Sequence, residues 1–329
     1  MNHTYREAGV DISLEATAVR ALVDQLTYRR RGAYPMYSAV GHFAGLIEFG
    51  NHVLALATDG VGTKMLIADA LGDWSTVGID CIAMNANDLY VMNIEPVAFV
   101  DYIATDALSK EKMRQIGIGL NAGAELANLS LVGGETATLK GLVNGLDLAG
   151  TCLGIREKAR VVTGERIAEG DSIIGVPSSG VHSNGLSLAR HLVELYADYH
   201  DRMPFGRTLG EELLTPTRIY AEALRVADAA EVHGMCHITG GGLLNLTRLG
   251  PFGFNIDEPL EIPPIFTWMQ EVGSVEDEEM YRTFNMGMGY VYVVPESAVP
   301  GVLSAVPDAR VVGSVHGSPG VRLQGTEIR

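Results

Sequence analysis

The sequence is short of several things, and each shortage removes a class of protein. Its cysteines are Cys81, Cys152 and Cys236 alone. They lie far apart, are odd in number and form no C-x-x-C pair, which argues against a disulfide framework or a zinc knuckle and suits a reducing compartment. No uninterrupted apolar run reaches the ~18 residues of a membrane span, and the opening residues Met1 to Glu7 are polar, without a signal-peptide core. A cytoplasmic protein with no membrane partner is the expectation. Cations are scarce too: 24 Lys and Arg face 40 Asp and Glu, a formal net charge of -16. Such a chain repels phosphate backbones at long range, so nucleic acid is not an expected partner. A phosphate-bearing ligand must find local basic residues or a metal. The sequence also lacks G-x-x-x-x-G-K-[ST], G-x-S-x-G and H-E-x-x-H. A Walker loop, a hydrolase elbow and a zincin are therefore out.

What remains is globular. The chain has 329 residues, 47% hydrophobic and 19% charged, enough for a large core and two domains. Its most unusual stretch is Asp59-Gly60-Val61-Gly62-Thr63-Lys64, placed after the apolar run Val53–Thr58. Glycines let backbone N–H groups approach an anion, lysine supplies a point charge, and aspartate can hold a hard cation. Two readings stay open at this point: a metal–nucleotide phosphate site, or a glycine-rich turn that only redirects the chain.

Along the chain, Val19, Leu22, Val23 and Leu26 predict an amphipathic helix over 12–27, broken by Arg29-Arg30-Arg31-Gly32. Gly41-His42-Phe43-Ala44-Gly45 reads as a strand-entry turn or a flap over a nucleotide. Lys64–Leu71 reads as a helix ending near Gly72. Residues 77–92 read as a mostly buried helix carrying Asp80, Asn87 and Asp88, groups that need partners or a metal when buried. Val97–Ala104 is a strand, and Ser109 caps a helix with Met113, Ile116, Leu120 and Ala124 inward. Strand Ser130–Val132 ends in Gly133-Gly134-Glu135-Thr136, a second strand end with glycines, an acid and a hydroxyl that could share one cation with the first. Leu148–Ile155 is a further strand.

The charged stretch 156–170 marks a boundary, dividing the chain into 1–165 and 166–329. Strand 171–176 leads into Ser178-Ser179-Gly180-Val181-His182-Ser183-Asn184-Gly185, and a helix follows with Ala189, Leu192, Val193 and Tyr196 on one face. Such a loop at a helix N-terminus suits an anion. His182 there is either an ordinary loop histidine or a source of a proton or a charge. Leu214–Tyr220 predicts a helix start, and His237-Ile238-Thr239-Gly240-Gly241-Gly242 repeats the loop-to-helix theme. The methionines and aromatics of 280–290 read as core or subunit contact.

Taken in order, these motifs resemble the phosphoribosylformylglycinamidine cyclo-ligase (aminoimidazole ribonucleotide synthetase) family over nearly the whole chain. The set is G-V-D at 9–11, D-G-V-G-T-K at 59–64, G-I-D at 78–80, N-D-L at 87–89, G-G-E-T at 133–136, S-S-G-V-H-S-N-G at 178–185, L-T-P-T-R-I-Y at 214–220, H-I-T-G-G-G at 237–242 and M-Y-R-T-F-N-M-G-M-G at 280–289. Two departures stand out. The 41–45 loop has fewer glycines, and Asn93-Ile94 stands where the wider superfamily has Gly-Ala. Asn can take the positive φ a glycine supplies there.

The resemblance implies two α/β domains (an α+β chain overall) and a homodimer whose N-terminal sheets form a shared barrel. It implies ATP-dependent ring closure of formylglycinamidine ribonucleotide with ATP and Mg²⁺. Asp59, Asp80, Asp88 and Glu135 would hold the metal. Asp59, Gly60, Gly62, Thr63, Lys64, Asn87, Gly133, Gly134 and Thr136 would face ATP. Ser179, Gly180, His182, Ser183, Asn184, Gly240, Gly241 and Gly242 would bind the ribonucleotide. Lys64, His182 and His237 would serve catalysis. The alternatives are a thiamine-monophosphate kinase-like phosphotransferase and a non-catalytic nucleotide-binding scaffold.

Overall fold

A computed structural model describes residues 3–37 and 43–328, with the side chains of Ile12 and Ser13 outside the description. Gly41 and His42 of the 41–45 loop lie outside the described residues. The first half runs α1 (Ile12–Val23), β1 (Gly45–Phe49), β2 (His52–Gly60), α2 (Lys64–Leu71), α3 (Val77–Tyr90), β3 (Glu95–Thr105), α4 (Lys110–Ala127), β4 (Ser130–Thr138) and β5 (Leu146–Glu157). Its sheet has the order β1-β2-β5-β3-β4, antiparallel except for the parallel β3–β4 pair.

The second half runs β6 (Ser172–Pro177), α5 (Leu186–Tyr196), α6 (Leu209–Leu213), α7 (Glu222–Ala229), β7 (Gly234–His237), a 3₁₀ turn (Gly242–Leu249), β8 (Gly253–Ile256), α8 (Pro264–Gly273), α9 (Asp277–Thr283), β9 (Met288–Val294), α10 (Val299–Ala305), β10 (Arg310–His316), β11 (Gly320–Leu323) and β12 (Thr326–Ile328). Its sheet order is β12-β11-β8-β10-β6-β9-β7. The architecture is mixed α/β, with strands and helices segregated as in α+β folds.

Local chemistry explains several boundaries. α2 stops where Gly72 takes the left-handed conformation, φ 67°, and closes the last turn on Ala68 and Asp69. The Ser109 side chain accepts from Lys112 N at the start of α4. Asn93 has φ 56°, the conformation expected of an asparagine replacing glycine. Ile116, Leu120 and Ala124 are buried, as their spacing predicts.

One face of the first sheet packs on α3 and α4, and Leu146, Leu148 and Cys152 of β5 point into that core. The opposite face carries Ile47, Phe49, Leu56, Val100 and Tyr102, between 38% and 47% exposed. Among the described residues nothing covers these side chains fully.

Three predicted elements differ. α1 ends at Val23, and Val19, Leu22 and Leu26 are exposed, so among the described residues its apolar side has no cover. Gly133-Gly134-Glu135-Thr136 does not follow a strand end but lies inside β4, because β3 pairs with it in register as far as Thr138. Residues 214–220 form no helix: the backbone N–H groups of Thr217 and Tyr220 are spent on side chains of α3, and α7 begins only at Glu222.

Candidate active site

The 59–64 and 178–185 motifs meet where the two halves of the chain touch. Ser183 Oγ donates to the Val61 carbonyl at 2.8 Å, and Thr63 Oγ1 lies 3.3 Å from Ser187 Oγ on α5. Asn85 of α3 donates from Nδ2 to the Asp59 carbonyl at 3.2 Å, fixing the end of β2 over that helix. Asn184 stands beside Gly240, whose absent Cβ would sit 3.3 Å from Asn184 Oδ1. The two loops predicted to hold a ribonucleotide are thus brought together.

Lys64 does not stand free at this junction. Its ammonium is fully buried and donates to Asp80 Oδ1 at 2.9 Å, the His182 carbonyl at 3.1 Å and the Thr215 carbonyl at 2.7 Å. An ammonium has three N–H donors, so none is left for a phosphate. Asp80 Oδ1 also receives Thr217 N at 2.8 Å and Thr217 Oγ1 at 2.6 Å. Burial works against both charges, lowering the Lys64 pKa and raising that of Asp80, while their mutual attraction opposes it. Geometry favours the ionic pair, since the ammonium donates three bonds and Asp80 Oδ1 accepts three, while Asp80 Oδ2 is buried without a partner. In this arrangement Lys64 and Asp80 face each other, and together they tie α2 and α3 to the second half.

Asn87 links the next turn of α3 to the same side. Its Oδ1 accepts from Tyr220 N at 3.0 Å, so its Nδ2 faces outward, donating to the Arg218 carbonyl and approaching His237 Nε2 at 3.3 Å. His237 Nε2 must then accept, leaving the proton on Nδ1, which faces Asp88 Oδ1 at 3.6 Å. His182 lies with its ring 6.3 Å from that of His237. It holds a left-handed backbone, φ 64°, and its Nε2 accepts from Ser179 N at 3.1 Å. Its proton therefore sits on Nδ1, which is buried and has no partner. Burial, then the nearby His237, Lys64 and Arg218, push the His182 pKa well below the usual histidine value. The ring is a neutral donor at neutral pH, not a base in waiting.

Asp59 is the acid of the opening motif that stays beside the cleft. Burial pushes it up to about 6, the charge of Asp88 adds to this, and the Gly60 N–H, His237 and Arg248 oppose it. It reaches solvent at the rim while protein crowds its other sides. Asp59, Asp88 and His237 thus form one electrostatic unit.

Glu135 is not part of it. In sheet register Asp59, Gly150, Asp101 and Gly134 form one row, and Glu135 falls in the next row with Tyr102 and Ala149. Alternate rows face opposite sides of a sheet, so Glu135 shares the uncovered face with Tyr102. Gly133, Gly134 and Thr136 lie in the same edge strand, separated from β2 by β5 and β3.

Models of the AIR synthase related protein family match the chain twice, the N-terminal domain over residues 41–156 and the C-terminal domain over 168–326. The phosphoribosylformylglycinamidine cyclo-ligase of Methanococcoides burtonii is 49% identical over 328 residues, covering 99% of this chain and 98% of that one. The chain belongs to the cyclo-ligase family. Its similarity to the cyclo-ligase of Methanosarcina barkeri is 50% identity over 324 residues, covering 98% and 97%. Among solved structures, thiamine monophosphate kinase from Aquifex aeolicus shares the fold at a TM-score of 0.68 and 16% identity, covering 97% of this chain and 99% of that one. AaThiL complexed with AMPPCP and TMP shares it at a TM-score of 0.68 and 18% identity, covering 95% and 96%.

The donor set suits a hard cation shared with a ligand rather than a dedicated metal cage. Among the described residues no group of three or more His, Cys, Asp or Glu side chains could hold a metal ion. Magnesium, however, is commonly bound by one or two carboxylates together with substrate phosphates and water. The Asp59–Asp88 pair fits that role, since the Asp88 charge disfavours the ionised form of Asp59 until a cation arrives. Two residues escape a reading of the sequence. Asp101 faces the same side of the sheet as Asp59, burial raises its pKa, and its carboxylate lies where a Gly134 side chain would be. An acid inside the apolar run 97–104 was its signal. Arg248, on the 3₁₀ turn, bears on Asp59 without any signal in the sequence.

Proposed function

We propose that this cyclo-ligase family member closes formylglycinamidine ribonucleotide to aminoimidazole ribonucleotide, consuming ATP and releasing ADP and phosphate in purine biosynthesis. Near-full-length identity to named cyclo-ligases carries the reading, and the convergence of the 59–64, 178–185 and 237–242 segments on one cleft supports it. The formyl amide oxygen takes the γ-phosphoryl group and becomes a leaving group; the ribosyl-bearing nitrogen then attacks the activated carbon, and phosphate departs with that oxygen. Holding the two reacting groups together and neutralising the migrating charge are the protein's tasks.

Asp59 and Asp88 would hold Mg²⁺, which when bound neutralises phosphate oxygens. Gly62 leaves the backbone beside them open. His182 presents its Nδ1–H as a fixed neutral donor, and His237, held by Asn87, moves a proton at Nδ1 next to Asp88. Lys64 acts as a positioning residue, holding the His182 and Thr215 carbonyls in place.

The reading includes a domain division of 1–165 and 166–329 and a homodimer. The uncovered apolar face of the first sheet supports the second of these, because a contiguous apolar face of that kind marks an association surface. Among the described residues no helix is long and apolar enough to cross a membrane. A cytoplasmic location accompanies the reading, and the free, buried cysteines suit it.

The assay is direct. Protein, Mg·ATP and formylglycinamidine ribonucleotide should yield aminoimidazole ribonucleotide and ADP in equal amounts. No product beside an active control enzyme would overturn the reading, and ADP formed from thiamine monophosphate instead would favour the kinase.

A further inference from the structure

The segment Met280-Tyr281-Arg282-Thr283-Phe284-Asn285 has no role in the chemistry above, yet it lies against both glycine turns of the cleft. A Cβ on Gly242 would overlap the Tyr281 carbonyl and sit 3.0 Å from the Phe284 carbonyl, while one on Gly185 would sit 3.1 Å from the Thr283 carbonyl. Met280, Thr283 and Phe284 are buried and fix this segment. Arg282 lines a cavity of about 300 Å³ together with Thr4, Tyr5, Arg6, Asp11 and Glu279.

Arg282 differs from four other arginines of the second half. Arg166, Arg190, Arg207 and Arg218 all meet carboxylates. Arg282 Nε is buried and has no hydrogen-bond partner. The acids beside it are occupied: Glu279 Oε1 takes Tyr5 N at 2.7 Å, and Asp11 Oδ2 takes Arg6 Nε at 2.8 Å. A guanidinium whose buried N–H is unpaired needs an acceptor, and its planar fork suits a carboxylate or phosphate. The Tyr5 hydroxyl faces the Gly185 backbone N–H at the start of α5, so the cavity adjoins the 178–185 loop. In a chain of net charge -16, a local unpaired cation of this kind is what a phosphorylated ligand requires.

We propose that Arg282, with the Tyr5–Arg6 segment, forms the phosphomonoester end of the ribonucleotide site. This rests on the cyclo-ligase reading for the identity of the ligand, and on the unpaired arginine for its chemistry. The N-terminal segment then serves as one wall of the substrate site, with Asp11 engaged by Arg6 and Glu279 by the Tyr5 N–H.

The test is titration calorimetry with ribose phosphate on the wild-type protein, Arg282→Gln and Arg282→Lys, together with steady-state kinetics. Loss of a charge-assisted bidentate contact should weaken ribose phosphate binding about 10- to 100-fold in Arg282→Gln, raise KM for the ribonucleotide by a similar factor, and leave KM for ATP within about threefold. Arg282→Lys should fall between, since it keeps the charge and loses the fork. Equal affinity in wild type and Arg282→Gln, or no binding of ribose phosphate by the wild type, overturns the proposal. Should Arg282→Gln fail to fold, arginine modification by phenylglyoxal on the wild type decides: ribose phosphate should protect Arg282, and modification at an undiminished rate overturns the proposal. Arg282-dependent binding without ring closure would leave this site standing and remove the cyclo-ligase reading; ring closure without it does the reverse.

Discussion

Replacing Lys64 by methionine separates two roles that the sequence leaves entangled. Lys64 and Asp80 are both 0% exposed, and the ammonium has its three N–H donors on Asp80, His182 and Thr215. Methionine keeps most of the volume but strands the Asp80 carboxylate, which retains only the two bonds from Thr217. Breaking a buried ion pair from one side costs about 3–5 kcal/mol. For a chain of this size that corresponds to a drop in Tm of about 4–7 °C. Adding Asp80→Asn to Lys64→Met removes the stranded charge and keeps an acceptor for Thr217, so the double variant should recover about 1–3 kcal/mol. Urea titration of the wild type, both single variants and the double variant measures this directly. A lysine on the transferring phosphoryl group predicts the opposite pattern. Lys64→Met would then unfold at the wild-type midpoint, lose turnover, and gain nothing from Asp80→Asn. That result would refute the positioning role.

Further expectations follow from the same geometry. Asp59→Asn and Asp88→Asn should each raise the Mg²⁺ concentration needed for half-maximal turnover, and a wild-type metal response in either would remove that residue from the cation site. His182 titrates in the folded state well below its ordinary 6.5; for a depressed histidine the stability it contributes is complete above 6.5 and declines as pH falls below it. Urea midpoints should therefore drop on acidification from pH 6.5, and His182→Asn, which tolerates the positive φ, should flatten that part of the profile. Ser109→Ala removes the cap of α4 and should cost about 1 kcal/mol, read as a shift in the urea midpoint. Leu56→Lys places a charge on the uncovered sheet face, and sedimentation should show a smaller species than the wild type; identical sedimentation would move the dimer contact elsewhere.

Features that depend on near neighbours were legible in the sequence. α2 ends at Gly72 and α4 starts at Ser109 because a left-handed glycine and a side-chain cap act within one helical turn. Asn93 could be read as a glycine substitute because positive φ is a property of the residue itself. The site was legible as a set of loops but not as contacts. Thr217 bonds Asp80 across 137 positions, and Lys64 reaches the Thr215 carbonyl across 151. No local pattern announces such pairs, so 214–220 looked like a helix start and Lys64 like a phosphate ligand. The strand end expected at 133–136 differed for a related reason. Its glycines suggested a strand end, whereas pairing with β3 carries the strand through them and turns Glu135 to the outer face. The glycine at 134 answers instead to Asp101, which occupies the space a side chain would need.

The central claim, that the formyl oxygen is the phosphoryl acceptor in ring closure, can be followed with an isotope. Formylglycinamidine ribonucleotide carrying a heavy oxygen isotope in its formyl group should transfer that atom to inorganic phosphate, one labelled phosphate for each aminoimidazole ribonucleotide formed. Labelled phosphate in that ratio is the predicted result. Ring closure with unlabelled phosphate would contradict the account.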